Sequence, residues 1–489
     1  MKKYSLIFFF TLLIPFTAYA QIGSVDTMFK VGTGFGPDEW TGKCDVIVQQ
    51  ADGKLLVGGQ FESFNGNETY YIARLNLDGS LDAGFSSQFE DSWGAKVAAI
   101  AIQADGKIVI GGSFSEINGV SRNNIARLNS DGSLDEIFDP ASGFNQEVKT
   151  LAIQSDGKIL VGGLFTHYDA YFGGANTPVN GIARLNVDGS IDASFQVGSG
   201  FSGGSGIGQR QIHQVLSLAD GKILVSGHYS NYNGEPSLLL TRLNSDGTLD
   251  KTFDASANFA KAMDGFYGQV YNLKTTANGE IIIGGNYGNT NSLAFGVDRL
   301  HADGTLDSTF KTTHSFSNLI NSALAVQSDG KVCVANRNFG QPSEAFVVER
   351  YNADGSLDSS FQKTFLNSDV TDLIIQQDGN ICFVGYFKFN PIGILRLNGD
   401  TPFSLSLAKN SSINPHVYPN PTQDFIQFAE LPEEAYVAVY SSTGALVIPA
   451  QQMDTNRARV DLRGLEKGVY FIQVKVKEKS SWTKVLKQD

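Results

Sequence analysis

Two short patterns of apolar and polar residues alternate along most of the chain. The first is an apolar run, a turn and a second apolar run, as in Ala101-Ile102-Gln103-Ala104-Asp105-Gly106-Lys107-Ile108-Val109-Ile110. The second reads Ile125-Ala126-Arg127-Leu128-Asn129-Ser130-Asp131-Gly132-Ser133-Leu134-Asp135, followed by Phe138. Short apolar runs bounded by Gly turns predict strands. Asp-Gly between them predicts tight hairpins, because Gly accepts the positive φ that such turns need. The first turn recurs at Asp52, Asp105, Asp156, Asp220, Asn278, Asp329 and Asp378. The Arg of the second recurs at Arg74, Arg127, Arg184, Arg242, Arg299, Arg350 and Arg396.

Each copy therefore reads strand, tight turn, strand, longer loop, strand, tight turn, strand. Seven such copies predict an all-β fold, a seven-bladed β-propeller of four-stranded blades. The last copy is incomplete. The others end in Gly-Ser/Thr-apolar-Asp-x-x-Phe, with Phe85, Phe138, Phe195, Phe253, Phe310 and Phe361, but after Arg396 that segment is missing. It stands instead near the start, as Gly23-Ser24-Val25-Asp26-Thr27-Met28-Phe29. The N-terminal segment is thus expected to supply the outer strand of the seventh blade, closing the ring and removing a free sheet edge.

The two ends differ from this pattern. Lys2 and Lys3 precede an apolar run from Leu6 to Phe16, then Ala18-Tyr19-Ala20 before Gln21, which is the layout of a secretory signal cleaved after Ala20. Gln21 stands where a bacterial lipoprotein needs Cys. No later run is long enough to span a membrane as a helix, so the mature protein is expected to lack a transmembrane segment. The expected division is signal peptide 1–20, propeller 21–400, linker 401–414 and C-terminal domain 415–489. Alternating apolar runs with Pro and Gly turns predict a small β-sandwich for that last part.

Two resemblances sharpen this picture. The blocks Asp-Gly-Lys-Ile-Leu-Val-Gly-Gly-x-Phe and Arg-Leu-Asn-x-Asp-Gly-Ser-Leu-Asp-x-x-Phe resemble the delta-60 repeat, a β-propeller-like repeat of secreted bacterial proteins. The later copies depart from it at Asn278-Gly279-Glu280, Asp378-Gly379-Asn380 and Tyr351. The C-terminal set Tyr418-Pro419-Asn420-Pro421, Gly444, Gly468, Tyr470 and Lys484 resembles the sorting domain of the type IX secretion system. That resemblance implies a partner, the type IX machinery, and a destination outside the cell or on its outer surface. It also implies removal of the domain on arrival.

Charge narrows the remaining partners. Lys plus Arg number 37 against 50 Asp plus Glu, a formal −13, which argues against a phosphate-neutralising surface and so against nucleic acid. Cys44, Cys333 and Cys382 each lie in an apolar run and read as buried free thiols. The seven Arg, and the Asp after each second turn, recur in every copy. Repetition of that kind suits an Arg fixed by several hydrogen bonds in each blade rather than one asymmetric site. The Phe series reads as packing between blades.

No Gly-x-Ser-x-Gly, His-Glu-x-x-His or Cys-x-x-Cys motif occurs, and no phosphate-cradling loop. The sequence leans away from catalysis and implies no cofactor. Calcium at the oxygen-rich Asn-x-Asp-Gly-Ser-x-Asp turns is the alternative, although these lack the spaced carboxylates and final Glu of an EF-hand loop. Variable positions offer the better signal. Seven residues before each first turn lie Asp45, Ala98, Lys149, His213, Tyr271, Ser322 and Thr371, a varied ring expected at the channel mouth. Loops in the third and fourth copies add His167, Tyr168 and Tyr171, and Tyr229 and Tyr232. Asp45, Lys149, His213, Tyr271 and these loop residues are the candidate ligand contacts of a non-catalytic binding or scaffold protein for carbohydrate or protein. The rival is an extracellular polysaccharide hydrolase or lyase using His213, Asp45 and Lys149.

Overall fold

A computed structural model describes residues 21–399 except 38–40, 90–93, 170–173, 204–209, 260–267, 288–294, 313–318, 339–344, 367–368 and 388–391. It describes 417–487 except 419–421, 429–434, 442–445, 454–458, 466 and 477–478. Residues 1–20 and 401–414, where a signal peptide and a linker are expected, lie outside the described residues. The chain divides into two compact units, 1–400 and 401–489.

In the larger unit each repeat forms an antiparallel sheet around its first turn. In the first repeat, Gly42–Gln49 pairs with Leu55–Phe61, which pairs with Ile72–Leu75. In the last, Asp369–Ile375, Ile381–Tyr386 and Ile394–Leu397 repeat that order. Seven such sheets are present among the described residues. The turns that depart from the repeat keep its backbone: Gly279 and Gly379 have φ of 81° and 83°, beside 88° at Gly53.

The predicted fourth strand is shorter than expected. After the second turn a single bridge forms, as between Leu75 and Leu81 or Leu128 and Leu134. The following Asp turns the chain away. Asp82 Oδ1 accepts the Gly84 N–H at 2.9 Å, and the Asp82 carbonyl accepts the Phe85 N–H at 3.2 Å. Among the described residues a four-stranded sheet of this unit occurs in the sixth repeat, where Thr364–Leu366 pairs with Ala345–Tyr351.

The repeated ions join one sheet to the next. Arg127 Nε donates to Asp135 Oδ2 at 2.7 Å, and Lys107 Nζ reaches the same oxygen at 2.7 Å. Arg127 Nη1 donates to the Val187 carbonyl in the next repeat at 2.6 Å, while its guanidinium lies 4.8 Å from the Phe138 ring centre. The stacked ring adds a cation–π contact. Phe138 in turn packs with Ile159, Val161 and Leu185 of the following sheet. Arg184, Arg242 and Arg299 repeat the arrangement, donating to the carbonyls of Ser245, Ala302 and Ala353.

The N-terminal segment enters this scheme at the seventh repeat. Val25 bridges Leu397, Arg396 Nη2 lies 2.7 Å from Asp26 Oδ2, and the Arg396 guanidinium sits 4.1 Å from the Phe29 ring centre. Residues of the first and last sheets, Ile47, Leu55 and Val57 with Cys382, Val384 and Ile394, share one apolar cluster. Cys44, Cys333 and Cys382 are buried, and none is in a disulfide among the described residues.

The smaller unit has two sheets over one core. Val417–Tyr418, Phe425–Phe428 and Arg459–Asp461 form the first; Leu446–Gln452, Tyr436–Ser441, Gly468–Val476 and Lys479–Lys487 form the second. Ile426, Val437, Val439, Val460, Ile472, Val474 and Val485 fill the core between them. Tyr470 is buried, Tyr418 pairs with Gln427, and Lys484 pairs with Phe471. Pro419, Asn420, Pro421 and Gly444 lie outside the described residues.

Candidate functional site

Every innermost strand of the large unit carries one irregularity, and the variable ring occupies it. Pairing skips a residue between Cys44 and Val46, Val97 and Ala99, Val148 and Thr150, and Ile212 and Gln214. It does so again between Val270 and Asn272, Asn321 and Ala323, and Val370 and Asp372. The skipped residues are Asp45, Ala98, Lys149, His213, Tyr271, Ser322 and Thr371. A β-bulge re-aims the side chain of its extra residue without ending the strand. The bulge also strands backbone donors, and the neighbouring sheet satisfies them: Ile47 N–H donates to Asp372 Oδ2, Val215 N–H to Thr150 Oγ1, and Leu273 N–H to Gln214 Oε1.

The bulge residues meet polar groups of adjacent sheets. Tyr386 donates its hydroxyl to Asp45 Oδ1 at 2.8 Å, and Lys43 Nζ stands 5.5 Å from the Tyr386 ring centre. Lys96 pairs with Glu147 at 2.8 Å. His213 Nε2 lies 3.0 Å from Gln269 Oε1, and its ring is 5.1 Å from that of Tyr271. Asp45, Lys149, His213 and Tyr271 thus fall on one arc across six sheets, counting the seventh, which supplies Tyr386, and the second, which supplies Lys96.

Burial sets the protonation of this arc. It pushes the Asp45 carboxyl up, a shift that Lys96 and the Tyr386 hydrogen bond oppose. It pushes the Lys149 ammonium down. Burial, and then the Lys149 charge, bring His213 down to about 4, so its imidazole is neutral at pH 7. His228 faces Gln211 in the register, is buried, and its Nε2 has no hydrogen-bond partner among the described residues.

The loop tyrosines require a correction. Tyr168, Tyr229 and Tyr232 are buried, not displayed. Their hydroxyls are spent on the carbonyls of Gly189, Val225 and Gly247. Tyr168 and Tyr232 pair with Phe144 and Phe201, as Phe64 pairs with Phe35 in the first repeat. These rings are the apolar anchors of the connecting hairpins. His167 is half-buried, with Nδ1 2.9 Å from Thr166 Oγ1; Tyr171 lies outside the described residues. The oxygens considered for calcium are engaged within their own turns: Asp78 Oδ1 accepts both the N–H and the hydroxyl of Ser80.

Lys43, Lys96, Glu147, Gln269, Tyr386 and His228 were not among the expected contacts. The signal for four of them was a second column, since Lys43, Lys96, Glu147 and Gln269 each stand two residues before a bulge.

Six segments, 50–85, 103–138, 154–195, 218–253, 276–310 and 327–361, match the family described as "Domain of unknown function (DUF5122) beta-propeller". Residues 416–488 match the "Secretion system C-terminal sorting domain". This is a β-propeller repeat protein with a type IX sorting tail. The tail marks proteins secreted to the cell surface or the extracellular space, and this propeller protein is one of them. No curated protein matches it.

Solved structures similar to the propeller protein include an extracellular domain assigned to a one-component system of B. thetaiotaomicron. It shows 9% identity over 91% of this chain and a TM-score of 0.32; the chain spans 61% of that structure's length. A catalytically inactive virginiamycin B lyase from Staphylococcus aureus with quinupristin shows 13% identity over 73% of this chain and 94% of its own, at a TM-score of 0.40. A gluconolactonase from Xanthomonas campestris shows 15% identity over 65% and 92%, at 0.32. Among the described residues no helix is long and apolar enough to cross a membrane.

Proposed function

We propose that this protein is a secreted binding module on a seven-bladed propeller closed by its N-terminal segment, and that it takes a polar, uncharged ligand such as a carbohydrate at the channel mouth. The observation that carries this reading is the bulge in all seven innermost strands, occupied by a different residue type in each. A fold needing only closure would have no use for that variety. The arc offers an aromatic face at Tyr271, neutral donors and acceptors at His213 and Gln269, and ions largely balanced by one another at Lys96 and Glu147. Such a mixture suits hydroxyl groups on a pyranose ring. Residues 415–489 engage the type IX machinery during export.

A second reading, a polysaccharide hydrolase or lyase, is favoured by one observation: Asp45, Lys149 and His213 all titrate away from their ordinary values on the same arc. Against it, Asp45 is bonded to Tyr386 and His213 to Gln269, rather than to each other. A glycan array probed with the mature chain, followed by mass analysis of what is retained, separates the two. Intact glycan that is lost with Tyr271→Ala supports binding; shortened glycan supports cleavage. No retained glycan from a broad array removes the carbohydrate reading.

A further inference from the structure

The fifth repeat breaks the ionic pattern of the others at two positions that meet in space. In five repeats a lysine from the first turn and the repeated Arg share one carboxylate oxygen. Lys54 and Arg74 reach Asp82 Oδ2, Lys107 and Arg127 reach Asp135, Lys158 and Arg184 reach Asp192, and Lys222 and Arg242 reach Asp250. Lys331 and Arg350 do the same at Asp358, with the lysine at 3.5 Å. In the fifth repeat Glu280 stands at the lysine position. In the same repeat His301 stands where the others have Asn76, Asn129, Asn186, Asn244, Asn352 and Asn398. That Asn ordinarily donates to a turn hydroxyl, as Asn129 does to Ser133 Oγ at 3.0 Å. His301 gives up this local role.

The result is a Glu280, His301 and Asp307 group whose ligand atoms all lie within 4.8 Å of one another. A +1 group has been exchanged for a −1 group beside a buried carboxylate, and an imidazole nitrogen has been added to the same place. Arg299 offsets part of the negative charge, at 2.7 Å from Asp307 and 3.6 Å from Glu280. Its presence does not close the position, because the five regular repeats already hold a second cation against the same Asp oxygen as their Arg. The seventh repeat is a useful contrast. It too lacks the lysine, but Asn380 brings no charge there and Asn398 is retained.

We propose that Glu280, His301 and Asp307 bind a divalent transition cation, zinc in the first instance, at the place an ammonium group occupies in the regular repeats. One imidazole nitrogen and two carboxylate oxygens are a usual zinc donor set, and exposed His301 leaves the outer side of the ion open to water. The site is separate from the bulge arc, and neither depends on the other. The cation acts as a staple between the two hairpins of the fifth repeat.

The repeat pattern supplies its own control. Glu280→Lys combined with His301→Asn restores the residues of the regular repeats, so this variant is expected to fold. Chelator-stripped mature protein is titrated calorimetrically with zinc chloride alone, and its thermal midpoint is recorded with and without zinc. The expected result is a zinc-dependent rise in the midpoint, with affinity falling at least about tenfold in the restored variant, as loss of direct ligands requires. His301→Gln alone should weaken binding while leaving the circular dichroism spectrum unchanged. Absence of zinc binding by the parent overturns the proposal, as does equal affinity in the parent and the restored variant.

Discussion

Arg396 donates from Nη1 to the carbonyl oxygen of Leu77 at 3.0 Å, although the two are separated by 319 residues of chain. The same contact joins sequence-adjacent repeats elsewhere, as from Arg127 to Val187 and from Arg299 to Ala353. The last repeat therefore treats the first as its successor. An ordinary contact of the repeat thus also joins the last repeat to the first, beside the N-terminal segment that pairs with Leu397.

Asp26 should be as important as any internal Asp of the series. It accepts from Arg396 at 2.7 Å, and both side chains are about a tenth exposed or less. Removing the carboxylate leaves a buried guanidinium without its partner, a change that costs about 3 to 5 kcal/mol when a pair is well buried. Asp26→Ala is expected to lower the unfolding free energy by an amount close to that of Asp135→Ala, measured by urea denaturation of the mature chain. A neutral Asp26→Ala would show that the N-terminal segment does not hold the last sheet. Arg396→Ala added to Asp26→Ala should cost much less than the sum of the two single changes, since the residues act as one unit.

The repeated carboxylates also set the acid limit of the fold. Lysine and backbone hydrogen bonds hold Asp82 at about 2, Thr309 holds Asp307 at about 2, and Ser360 and Arg350 help bring Asp358 to about 2 against the opposing effect of burial. An unfolded Asp titrates near about 3.9. Because these folded values are depressed, the stability they contribute is complete above the unfolded value and is lost as pH falls from about 4 towards 2. A urea midpoint that is flat from pH 7 to 5 in these groups' contribution, then falls steeply below 4, is the expected profile. Lys107→Met, which removes one of the cations, should move the onset upward.

The propeller repeat was legible because its turn chemistry recurs: Asp-Gly marks the hairpins, and Gly-Ser-x-Asp-x-x-Phe marks the N-terminal piece whose Val25 bridges Leu397. The length of the fourth strand was not, because the Asp82 side chain ends the ladder after one bridge, and a local hydrogen bond of that kind leaves no periodic signature. The site was half legible. Counting back from each turn found the bulge column, which includes Asp45, Lys149, His213 and Tyr271. Tyr229 and Tyr232 misled because loop position was read ahead of repeat position. Tyr229 aligns with Phe61, Phe114 and Phe165, all buried, and that column would have assigned it to the core. Tyr386 lies too far from Asp45 in sequence for any local pattern to pair them.

Tyr386→Phe tests the electrostatics of the arc directly. The hydroxyl donates to Asp45 and favours its charged form, against the burial that disfavours it. Loss of the donor should raise the Asp45 value further above the ordinary carboxylate range. Carboxyl carbon chemical shifts followed through a pH titration report the change, and an unaltered titration would place Asp45 outside the influence of Tyr386.

His213 gives the last prediction a separate pH window. Its folded value is about 4, set first by burial and then by Lys149, while an unfolded His titrates near about 6.5. Between those values the unfolded chain takes up the proton and the folded protein does not, so His213 lowers stability as pH falls from about 6.5 to 4. This lies above the range in which the repeated aspartates act. His213→Gln keeps a neutral polar side chain opposite Gln269 and removes the titrating group. The variant should therefore match the parent closely at pH 7.5 and exceed it at pH 4.5 in urea midpoint. Equal pH dependence in the two proteins would mean that His213 is not held neutral by its surroundings, and the uncharged character proposed for the ligand would lose its support.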